Sequence, residues 1–139
     1  MVKDRAYIRT PYYLGRILRS SLLRTVAEGT LRIERMAQEL TRYLRGWLGY
    51  FGKCETPSVL QSLGEWTRRR LRSAIWKQWK RGSVRFAELR KLGVSKDLAA
   101  KTAGSAHGPW RLANSPALAI AMPNAYFDSL GIPRLTCRQ

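Results

Sequence analysis

The chain of 139 residues carries 26 Lys and Arg against 9 Asp and Glu, a net charge of +17, while 45% of its residues are hydrophobic, as in an ordinary globular protein. Its aliphatic and aromatic content excludes plain disorder, and the length suffices for one core without metal or disulfide staples. The charge calls for a polyanion: nucleic acid first, an anionic membrane surface second, an acidic protein third.

The start, MVKDRAYIRTPYYLGRIL, lacks the apolar centre of a secretory signal, and its scarcity of serine together with Asp4 fits an organellar transit peptide poorly. No apolar run reaches the ~18 residues of a transmembrane helix. Cys54 and Cys137 match no zinc spacing and read as reduced thiols, and His107 is the only histidine. A cytoplasmic protein without cofactor or metal is expected.

In chain order, a first helix fits Tyr12 to Glu28. From near Leu31 the apolar residues Met36, Leu40, Tyr43, Leu44, Trp47, Tyr50 and Phe51 fall at steps of three and four, the mark of one helix face. Gly46 and Gly49 interrupt this helix, which predicts close approach of another backbone there. Thr56 followed by Pro57 starts a second helix, predicted to run to about Arg81.

Gly82 and Ser83 break the chain. VRFAELRKLG then reads as a short helix stopped by Gly93, and SKDLAAKTAG as another, running from a Ser95 cap to Gly104. GPWR predicts a structured turn with Trp110 in the core and Arg111 outward. Ser115 caps a helix starting at Pro116, and Asn124 to Leu130 forms a last one ended by Gly131. Nothing alternates with period two for long enough to predict a strand. The expected class is all-α, with five to seven helices: two or three long ones packed as a bundle, then short helices and turns.

The segment RRRLRSAIWKQWKR, Arg68 to Arg81, has seven basic residues, two tryptophans and no acid. On a helical wheel Leu71, Ala74, Ile75, Gln78 and Trp79 gather on one side, and Arg69, Arg70, Arg72, Lys77, Lys80 and Arg81 on the other, with Arg68 at the edge. A buried stripe opposite a cationic stripe can meet a row of phosphates while the fold stays intact. Trp76 lands among the cations, one turn after Arg72 and one before Lys80, where packing against another helix and stacking on a base both remain open. Catalytic constellations fail on inventory: there are no paired carboxylates, no tuned histidine partner, no clustered acids and no phosphate loop.

Three blocks in order, YLRGWLGYF, TPSVLQSLGEWTRRRLRSAIWKQWKR and ELRKLGVSKDLAAKTAGSAHGPWRLANSPALAIAMPNAYFDSLGIPRL, closely resemble the C-terminal maturase-specific region of group II intron reverse transcriptases, also called the thumb or X domain. The likeness covers about Leu40 to Leu135. It divides the chain into a divergent, partly helical segment 1–30, a maturase-specific domain 31–135 and a tail 136–139.

The resemblance implies a thumb-like helical domain of a mobile genetic element's protein, one that grips group II intron RNA and helps it fold and splice. The family's polymerase motif, Tyr-Ala-Asp-Asp, does not occur in these residues, so no enzymatic activity is expected of them. The expected RNA-binding residues are Arg69, Arg70, Arg72, Lys77, Lys80 and Arg81, then Arg45, Arg68, Arg111 and Trp76. Three other readings stay open: a nonspecific DNA-binding module, a membrane-surface protein built on the amphipathic basic helix, and one part of a split reverse transcriptase whose partner is a separate fragment.

Overall fold

A computed structural model describes residues 32–51 and 57–135, and within them every regular element is helical. The seven helices are α1 (Arg32–Phe51), α2 (Pro57–Gln78), α3 (Gly82–Lys91), α4 (Lys96–Ala103), α5 (Pro109–Leu112), α6 (Pro116–Ala121) and α7 (Asn124–Ser129). The all-α expectation is met, with two long helices and five short ones. The expected helix at Tyr12–Glu28, the Thr56 cap and both cysteines lie outside the described residues.

Two compact units appear where length alone suggests one core. The first is built from α1, the α2 residues up to Thr67, and 128–135. Met36, Ala37, Leu40 and Leu44 are buried along α1, the face set by their spacing, and Leu60, Leu63, Ile132 and Leu135 are buried in the same unit. The Thr41 hydroxyl donates to the Gly131 carbonyl at 3.2 Å. Arg134 pairs with Asp128. Among the described residues nothing makes the close approach expected at Gly46 and Gly49, where an added Cβ would meet no atom of theirs within 4 Å.

The second unit, Arg68–Phe127, holds the rest of α2 and the short helices, of which α3, α4 and α6 pack on one another. Its helices are short because the sequence stops them with defined chemistry. After α3, Gly93 adopts φ +88, its N–H bonds the Arg90 carbonyl, and the Val94 N–H reaches back to the Leu89 carbonyl. These are the paired bonds of a Schellman stop, with Leu89 and Val94 both buried beneath it. Gly93→Ala has open space for its methyl but must hold a left-handed backbone. It is expected to cost about 1 kcal/mol, read as a lower urea midpoint with unchanged slope.

Pro109 and Pro116 open α5 and α6 at their first positions, where a missing N–H costs nothing. The Ser115 hydroxyl accepts from the Leu118 N–H, as predicted. Ser95 stands at the cap position of α4, but its hydroxyl makes no capping bond; Asp97 in the first turn supplies the favourable charge instead. The second long helix ends at Gln78, three residues short of the expected Arg81.

Candidate nucleic-acid interface

Residues 68–127 contain thirteen Lys and Arg against two carboxylates, Glu88 and Asp97. The wheel reading sends the α2 cations to solvent, and the structure corrects it. From Arg68 to Trp79 only Lys77 is exposed: Leu71, Ser73, Ala74, Ile75, Trp76 and Trp79 are buried, and Arg68, Arg69, Arg70, Arg72 and Gln78 are half-buried. This part of α2 is enclosed on several sides, a setting that a one-stripe amphipathic pattern does not anticipate.

The arginines fit there because short helices leave carbonyls without an amide partner. Arg69 donates from Nε and Nη2 to the Trp110 carbonyl at 3.3 and 3.1 Å. Arg72 Nε donates to the carbonyl of Met122, at the end of α6, at 3.0 Å. Arg85 Nε donates to the Trp79 carbonyl at 2.6 Å, just past α2, and Arg90 Nη1 to the Val94 carbonyl at 2.9 Å, just past α3. Four guanidiniums thus close four loose ends of backbone, each bond of the charge-assisted kind worth about 1.5–3 kcal/mol. Burial, and secondarily the neighbouring Arg68 charge, lower the Arg72 pKa below its ordinary value.

Trp76, offered by its sequence position for stacking on a base, is 1% exposed and closed to any ligand. It meets Trp79 edge-on, with ring centroids 6.1 Å apart, and the Arg85 guanidinium lies 4.7 Å from its centroid. Packing is therefore its role; of its two cationic neighbours on the wheel, Arg72 is half-buried and Lys80 exposed. Trp110 departs from expectation the other way: expected in the core, it is 37% exposed, beside an exposed Arg111.

Lys77, Lys80 and Arg81 remain, all exposed, at and just past the end of α2. No carboxylate pairs with them among the described residues, and no acid occurs in the sequence between Glu65 and Glu88. Their backbone is held on the inside by the buried Trp76 and Trp79 and by the Arg85 bond to the Trp79 carbonyl. Cations on an anchored turn lose less freedom on meeting phosphates than cations on a loose tail. Arg45, on α1 in the other unit, is also exposed. Lys96 and Lys101 are further exposed cations of the second unit that the wheel of one helix could not include. Arg85 was missed as a support because nothing local in VRFAELRK distinguishes a capping arginine from a solvated one.

The family model for the group II intron maturase-specific domain matches residues 18–93, more than half of the chain. The chain belongs to this family. The maturase-specific domain is a non-polymerase part of the intron's reverse transcriptase, and the match takes in α1, α2 and α3 with the cationic turn between the last two. The resemblance, which covers about Leu40 to Leu135, extends past the end of that match. No curated protein matches the chain. No helix among the described residues is long and apolar enough to cross a membrane, and no group of three or more His, Cys, Asp or Glu among them could hold a metal ion.

Proposed function

We propose that this maturase-specific domain binds group II intron RNA in the cytoplasm and promotes its folding and splicing, with the splicing chemistry supplied by the RNA. The observation that carries the reading is the carboxylate-free turn of exposed Lys77, Lys80 and Arg81, set within the residues that place the chain in the family. Phosphates of a folded RNA neutralise such a turn and release their counterions, which gives affinity without base readout. Arg45, Arg68 and Arg111 are secondary contacts in this proposal. Arg69 and Arg72 act chiefly as struts, and Trp76 is withdrawn from the RNA-contacting set.

A competition assay tests the proposal. Structured intron RNA, bound at moderate salt, should survive challenge by an equal nucleotide concentration of plain duplex DNA. Displacement by the DNA would mean a nonspecific DNA-binding module instead. Loss of RNA binding together with retention on anionic vesicles would mean a membrane-surface protein.

A further inference from the structure

Trp110 is held at the surface by an unusual set of contacts. Pro109 opens α5, but the helix ends after Leu112, and the Asn114 N–H goes to the Arg111 carbonyl. The Trp110 carbonyl is taken instead by the two Arg69 donors. The same Arg69 guanidinium lies 4.0 Å from the Trp110 ring centroid, and that of Arg70 lies 5.1 Å from it. One arginine thus pins both the backbone and the ring of a single residue. Its neighbours Leu112 and Ala113 are buried, yet 37% of Trp110 stays open to solvent.

A fixed, part-exposed indole with two guanidiniums against it and the exposed Arg111 beside it combines a stacking surface with positive charge. Two like charges crowded on one ring repel, and an anion placed between them relieves that repulsion. A nucleotide offers both complements, a phosphate for the guanidiniums and a flat base for the stack of indole and arginine planes. Bases within a duplex expose only their edges, so only an unpaired nucleotide can use the ring. We infer that Trp110, with Arg69 and Arg70, takes the unpaired base of a loop or bulge in the bound RNA. This site rests on the proposed RNA-binding function and adds to it a preference that phosphate contacts alone do not give.

The test compares a hairpin RNA having an unpaired loop with a perfect duplex of equal length, for the wild-type chain, Trp110→Leu and Trp110→Phe, each checked for folding by near-UV circular dichroism. Trp110→Leu should weaken loop binding roughly 10-fold or more, Trp110→Phe should recover most of it, and duplex binding should stay within about twofold throughout. Equal losses on both RNAs would reduce the site to a phosphate contact, and no loss on either would remove it.

A second measurement needs no variant. Loop RNA carrying 5-iodouridine, crosslinked to the wild-type chain and digested with trypsin, should attach to the peptide Thr102–Arg111, whose only tryptophan is Trp110. Crosslinks found solely on other peptides would overturn the inference while leaving RNA binding intact. If the wild-type chain bound neither RNA, the proposed function and this site would fall together.

Discussion

Trp76→Ala is expected to lower the unfolding free energy by about 3–5 kcal/mol, the range for truncating a fully buried large aromatic. The side chain is 1% exposed, and removing it takes away the edge-on partner of Trp79 and the ring beneath the Arg85 guanidinium. Arg85 would then keep its bond to the Trp79 carbonyl but face a cavity. For a domain whose whole stability is of order 5–15 kcal/mol, the loss is a large share. Urea denaturation followed by circular dichroism reads it directly. Trp76→Phe, which keeps an aromatic ring in place, should cost clearly less. A loss below 1 kcal/mol for the alanine variant would mean that Trp76 is not packed as described.

The second large effect is on binding. Lys77→Gln, Lys80→Gln and Arg81→Gln combined should weaken RNA binding and flatten its dependence on the logarithm of salt concentration by roughly 2 to 3 units of slope, at about 0.7–0.9 per phosphate contact. Their exposure predicts little change in stability. Arg72→Gln should show the opposite pattern. It strands the Met122 carbonyl and removes the cation 5.5 Å from the Phe127 centroid, so about 1–3 kcal/mol of stability is lost while the slope barely moves. A steep slope retained in the triple variant, with the change appearing in Arg72→Gln instead, would return the interface to the arginine row of α2.

Helix identity was legible in the sequence wherever apolar spacing and stop chemistry agreed. Met36, Leu40 and Leu44 mark the buried face of α1, Pro57 and Pro116 stand at helix starts, and Gly93 and Gly131 carry the positive φ that their positions implied. The candidate interface was legible only in part. Lys77, Lys80 and Arg81 are as exposed as the wheel suggested. Arg69 and Arg72 are not, because a wheel treats every cation as solvent-seeking and cannot see a carbonyl that a distant helix leaves open. Trp110 left its expected core position, and Trp76, open to packing or stacking on sequence grounds, is buried, for the same reason: burial of an aromatic depends on what covers it, and this cannot be read from one helix alone.

By itself the sequence determined the helical class, the points at which the helices stop and the excess of positive charge, since propensity, capping and residue inventory are local or additive properties. Only the tertiary structure decided how that charge is divided. Three arginines, Arg69, Arg72 and Arg85, are half-buried against the backbone carbonyls of Trp110, Met122 and Trp79, while the lysines and arginine at the end of α2 stay in water. A planar guanidinium on a long apolar stem can be half-buried and still satisfy its donors, whereas a compact, strongly hydrated ammonium is costlier to bring inside.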